Sequence, residues 1–355
     1  MTQPAASLQS GTYECADAVE ANEFYQEKGW TDGLPIVPPT PDRVAACLQA
    51  VGLTPDATIG VERVRQRPLS AEKVAINAVM AGCLPAYMPV IVAVLQAMCE
   101  ELFNLHGSTA STGGSAQFIV VNGPIRTALG MNATHNVLST GNRANATIGR
   151  AIRLVLINLL GCVPGQLDRS TLGHPGKFSL CIAEDEEDSP WTPLAQERGI
   201  PASASGVTVM ACESPHQTMN EWTHDPEEIV ETFAAEIRHN MLTYSIWPGN
   251  YGLVIPKQLR ELLVAASWQK KDIREYIYRR ARVKRSDWAT VGKANIVNRG
   301  GGAEQEFTAL RSPDDLLVVA AGGPAGGFGA IIPPWLGSKA LAVTKPITVS
   351  TENGG

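Results

Sequence analysis

The chain has 355 residues, a formal net charge of −6, 44% hydrophobic and 18% charged residues, a composition that can bury a sizeable core and excludes a disordered chain. The one basic stretch, Arg279 to Arg285, shares a helical pattern with Asp272, Glu275 and Asp287, so it reads as a solvated helix face and not as the clustered basic surface that nucleic acid needs. The apolar runs Met88 to Met98 and Ala151 to Cys162 contain Gln96, Arg153 or Asn158 and fall short of the roughly 18–20 residues of a membrane span, so neither nucleic acid nor membrane is expected as a partner.

The N-terminal run has no basic region followed by an apolar stretch, so no signal peptide is expected and residues 1–15 read as a disordered, frayed tail. A helix is predicted over 16–29. The segment from Trp30 to Thr40 follows, stiffened by Pro35, Pro38 and Pro39. Thr40-Pro41-Asp42 reads as an N-cap with proline at the first helical position, opening a helix to about residue 51. Ser70 is a candidate N-cap for a helix that Gly82-Cys83-Leu84-Pro85 ends, and Pro89 starts another to about Leu102. Cys83 is thereby placed on an exposed helix–helix corner.

A small polar loop from His106 to Ser115 leads into a strand over 118–121, which ends at the turn Asn122-Gly123-Pro124. Residues 141–150 open a long helix to Leu160. Strands are expected over 178–183 and 207–211, separated by Glu184 to Asp188 and Ser189-Pro190-Trp191. A helix over 226–241, a strand over 252–255, two helices within 257–282 and a strand over 314–321 complete the pattern. The fold class expected is α/β, helix-rich with a central mixed sheet, mixed α+β being the alternative. Residues 16–349 are expected as one globular unit, or as two lobes, 16–205 and 206–349.

Candidate sites follow from residue chemistry. A helix N-terminus offers free N–H groups and partial positive charge, so Asn142, Arg143, Asn145, Thr147 and Arg150 together suit a small anion. The alternative is an ordinary capped helix with exposed arginines. Gly322, Gly323 and Gly326 lie in a glycine-rich loop after a strand, where backbone amides can approach a cofactor or anion. Their spacing matches neither a P-loop nor a dinucleotide fingerprint, and a tight loop fits them equally well. Among seven scattered cysteines, none in a CxxC, Cys83 best meets the exposure that a nucleophilic thiol requires. No disulfide framework and no metal site are expected, and a reduced, cytoplasmic setting follows. Glu184, within its acidic run, and His135, in a polar loop, are candidate proton carriers. A solvated acidic loop is the commoner meaning of the run. Trp30 and Asp32 suit a pocket wall, Asp32 serving alternatively in an Asx turn with Gly33.

The segments GWTDGLPIVPPT, EKVAINAVMAGCLPAYMPV, VNGP, NRANATIGRA, CIAEDEEDSPW and VVAAGGPAGG together resemble a widespread bacterial family associated with small cysteine or selenocysteine proteins that carry a UGSC-type motif. The resemblance runs from about Trp30 to Ile347. It implies a cytosolic subunit acting with a thiol or selenol partner. Trp30, Asp32, Asn77, Cys83, Asn122, Asn145, Arg150, Glu184 and Trp191 lie in its patterned segments, and no catalytic role comes with that match.

The function expected is an enzyme acting on a small anionic substrate, by thiol-dependent redox or elimination chemistry at a carbon–heteroatom bond. Arg143 and Arg150 hold the anion, Cys83 supplies the thiol, and Glu184 or His135 moves the proton, with Asn122 and its turn in the same pocket. The alternative is a noncatalytic subunit that binds a UGSC-type protein. A homo-oligomer is expected, and no cofactor is identified.

Overall fold

The computed structural model of the protein describes residues 7–244, 246–293 and 302–349. Helix α1 (Ala18–Glu27) begins where the Asp17 carboxylate accepts the amides of Val19 and Glu20. Of the stretch expected to fray, residues 1–6 lie outside the described residues, and Gln9 and Ser10 are tied to the body, their amides donating to Glu72 at 2.9 and 2.7 Å. Pro41 opens α2 (Pro41–Gln49) as its sequence indicates. A hairpin that sequence periodicity did not signal, β1 (Thr58–Glu62) with β2 (Arg67–Ser70), precedes α3 (Ala71–Ala81). Gly82, at φ +92°, closes α3 in the left-handed conformation that glycine adopts without penalty. Helix α4 (Met88–Met98) and the short α5 (Leu105–Thr109) lead into the sheets.

From there the chain runs β3 (Ala116–Asn122), α6 (Ile125–Ala128), α7 (Arg143–Asn158), β4 (Cys181–Ala183), α8 (Leu194–Glu197), β5 (Ser205–Cys212) and β6 (His216–Met219). After α9 (Pro226–Thr243) come β7 (Tyr251–Ile255), α10 (Lys257–Ala265), α11 (Lys270–Arg280), β8 (Arg282–Lys284), α12 (Arg285–Thr290), β9 (Glu306–Thr308), β10 (Leu316–Ala320), β11 (Phe328–Ile332) and β12 (Val343–Ile347).

The protein is a mixed α/β fold whose strands, among the described residues, form two four-stranded sheets and two two-stranded sheets. The first sheet has the order β12-β5-β3-β4 and the second β10-β7-β11-β6. Their topologies match. In each, a strand crosses over through helices to a parallel neighbour, the next strand returns antiparallel on the other side, and a fourth adds antiparallel outside it. The fourth strands are exchanged. β6 follows β5 in sequence and pairs with β11, whereas β12 follows β11 and pairs with β5. The boundary considered at 205/206 falls at the first residue of β5.

Alternation along the strands sets the layers. Ile119, Val121, Val207 and Val209 face a core shared with α3, α4 and α7. Phe118, Val120 and Met210 face Val254, Leu317, Val319 and Ile332 across the space between the sheets. Tyr251, Leu253, Leu316 and Val318 pack on α9, α10 and α11. The order is helix, sheet, sheet, helix. With both faces covered, central strands are buried throughout and read as largely apolar runs, AQFIVVN in β3 and YGLVI in β7.

Candidate functional site

Ligand sites in parallel-strand units gather beyond the carboxyl ends of the strands, and the protein has two such places. Beyond β3 and β4 lies the acidic run. Glu184, 1% exposed, accepts Lys270 Nζ at 2.8 Å, Asn122 Nδ2 at 2.7 Å and the amides of Leu194 at 2.7 Å and Ala320 at 3.2 Å. Asp185 takes Arg260 Nη2 at 2.6 Å. Glu186 accepts Gly123 N at 2.8 Å and lies 3.1 Å from Arg126 Nε. Arg126 bonds Glu187 through both terminal nitrogens, at 2.8 and 3.2 Å, and Lys257 pairs with Asp188. Burial opposes the charge on Arg126, and its bonds to Glu187 and Glu186 outweigh that, raising its pKa.

The run is thus a seam of ion pairs between the units: Arg126 and Asn122 come from the first, Lys257, Arg260 and Lys270 from the second. Four donors surround the carboxylate of Glu184, so the proton-carrying role expected of it is corrected to a structural one. Sequence reasoning missed Arg126, Arg260 and Lys270. The available signal was an arginine four residues after Asn122 and another five after Ile255, each in the first turns beyond a strand, opposite five consecutive acids that require counter-charge.

The helix α7 start is also committed internally. Arg150 holds Asp32 through Nε and Nη2, both at 2.8 Å, and donates to Pro35 O at 2.8 Å. Burial alone raises the pKa of Asp32, but the bonds from Arg150 overcome it and lower the value. Asp32 also accepts Leu34 N at 3.2 Å, the Asx turn considered for it. Asn142 caps the helix, Asn145 bonds both backbone groups of Asn132, and Thr147 donates to Arg143 O. Trp30 sits in an aromatic cluster with Tyr13, Phe24 and Tyr25.

Arg143 and Cys83 do meet. They share a cavity of about 330 Å³ with Arg43, Arg143 anchoring on Gly82 O at 2.9 and 3.0 Å. Cys83 is only 7% exposed and donates to Thr147 O at 3.2 Å. Burial pushes its thiol up to about 12. The exposed, activated thiol expected at this corner is corrected: α7 packs over it. All seven cysteines are free. Among the described residues no cluster of three or more His, Cys, Asp or Glu suits a metal ion, and no single helix is long and apolar enough to cross a membrane.

The second place, beyond β7 and β10, is open. Here a cleft of about 580 Å³ brings His135 together with Gly322 and Gly323, and with Pro256, Gln217 and Phe328. Gly322 N donates to Ala133 O at 2.8 Å, tying the glycine loop to the loop that carries His135. A Cβ on Gly323 would lie 3.0 Å from His135 Cδ2, so the ring rests on bare backbone. Gly322, at φ +117°, makes the turn a larger residue would strain. Among the described residues, the amides of Gly323, Ala325 and Gly326 and both imidazole nitrogens of His135 have no hydrogen-bond partner. The pocket expected to gather the 142–150 helix start, the 122–124 turn and the Cys83 corner forms only in part: Cys83 meets Arg143 and Thr147, Asn122 lies in the acidic seam, and His135 lies in the cleft beside the glycine loop.

No protein-family model matches the chain. No curated protein matches it.

Proposed function

We propose that the protein is an enzyme that binds a small anionic molecule in the cleft beyond β7 and β10, with His135 moving a proton on it. The observation that carries this reading is the convergence, in one cleft, of the His135 imidazole with the backbone N–H groups of Gly323 and Ala325, none with a partner among the described residues. His135 and Ala325 are exposed and open to water, and N–H groups of an irregular glycine loop suit an oxyanion that takes the place of that water. Of the two chemistries considered, elimination fits better. It requires a base that takes a proton from carbon while the heteroatom leaves with its bonding pair. The thiol route requires a thiolate, which burial of Cys83 disfavours, and its sulfur lies in another cavity.

A screen of small carboxylates bearing a β-leaving group, read by release of that group, tests the proposal. Turnover is expected to fall at least a hundredfold in His135→Gln and to persist in Cys83→Ser. Turnover lost in Cys83→Ser and retained in His135→Gln contradicts it.

A further inference from the structure

A larger cavity, of about 870 Å³, lies away from the cleft, between the N-terminal segment and the proline-rich stretch before α2. Its walls are built to stay apart. On one side Ile36 to Pro41 is held by Asn22 Oδ1 accepting Ile36 N at 2.6 Å and Met80 O accepting Val37 N at 3.1 Å. Pro38, Pro39 and Pro41 fix the intervening φ angles and present ring carbons with no N–H to satisfy. On the other side, residues 8–17 cross the opening, pinned by Glu72 through Gln9 and Ser10 and resting on Tyr13, which packs 4.9 Å from Phe24 and 5.9 Å from Trp30. Leu8, Tyr25, Val44 and Ile76 complete an apolar interior.

The charges on the lining are unequal in what they leave available. Asp17 is spent on capping α1, and Glu72 on the two amides. Arg43 is the one cation on the lining, exposed at the rim, with Nη1 on Pro38 O at 3.1 Å and no other bond among the described residues. One donor is thereby fixed on the proline stretch, and the rest of the guanidinium, which also borders the Cys83 cavity, has no protein acceptor among the described residues. The volume falls within the range of about 300–1,000 Å³ typical of small-molecule sites, which combine apolar walls with a few placed polar groups.

We propose that this cavity is a second binding site, for a small amphipathic monoanion whose apolar body lies against the prolines and tyrosines and whose single carboxylate meets Arg43. The site is independent of the cleft at His135. A straight acyl chain and a fused aromatic ring share this chemistry, and isothermal titration of the full chain with decanoate and, separately, 2-naphthoate distinguishes them. Saturable one-to-one binding is expected for at least one, the tighter naming the body. Arg43→Gln, at an exposed position, is expected to weaken it five- to tenfold, while binding of the uncharged alcohol of the same body is the same in both proteins. Ile76→Trp, which fills the interior, is expected to abolish both. Absence of saturable binding for either acid, or affinity unchanged in Arg43→Gln, overturns the proposal.

Discussion

The ends of the two parallel strand pairs make an instructive contrast, since the same topology leads to them. Beyond β3 and β4 five consecutive carboxylates each meet a cation, and Glu184 lies within hydrogen-bond reach of four donors. Beyond β7 and β10 a glycine loop of similar placement leaves amides and an imidazole without partners. One place is satisfied from within and joins the units; the other keeps binding capacity. Donors gathered in a cleft and left to water, as those of Gly323, Ala325 and His135 are, offer a ligand more than a bare count of charged residues does.

Breaking the seam tests the structural half of the contrast most severely. Lys270→Met leaves Glu184 buried without its counter-charge, and unfolding by urea is expected to show a loss of about 3–5 kcal/mol. Arg150→Ala comes next. It strips Asp32 of a two-bond partner, and the same measurement is expected to give about 2–3 kcal/mol, with ligand affinity at the cleft unchanged.

Acidity offers a finer probe. Burial pushes Glu213 up from 4.5 to about 7, against the Asn240 bond and the nearby His216. An acid raised on folding binds its proton more tightly in the folded state, so its stabilising effect is complete below pH 4.5 and is lost as pH rises through 7. Glu213→Gln is expected to flatten that alkaline decline, by on the order of 1 kcal/mol at pH 8 after allowing for its partial exposure; an unchanged profile from pH 5 to 8 contradicts the assignment. The smallest effect on stability, about half a kcal/mol, is expected from Gly323→Ala. There the methyl displaces the His135 ring, and anion binding at the cleft is expected to fall with a change in melting temperature of only about 1 °C.

The elements with local signatures were legible in the sequence. Thr40-Pro41 marked the start of α2, Gly82 the end of α3, and the apolar periodicity after Asn142 the long α7. The exchange of β6 and β12 was not, because strand pairing is decided by partners far along the chain. β6 has only four residues and alternates partly buried with exposed positions, and β12 carries Pro346. The site divided in the same way. A glycine loop after a strand and a histidine in a polar loop are visible by type, and their meeting depends on Gly322 bonding Ala133, 189 positions earlier in the chain. The arginines of α7 illustrate the reverse. Donors at a helix start suggested a ligand, yet Asp32, from a segment more than a hundred residues upstream, takes up Arg150.

The contrast between the two strand ends can be put to one direct measurement. Amide and imidazole resonances of the full chain are followed by NMR while acetate, malonate and phosphate are added. Shifts are expected at Gly323, Ala325, Gly326 and the ring of His135, with the amides of Gly123 and of residues 184–188 unmoved; saturable shifts at the acidic seam with the glycine loop silent would contradict the account.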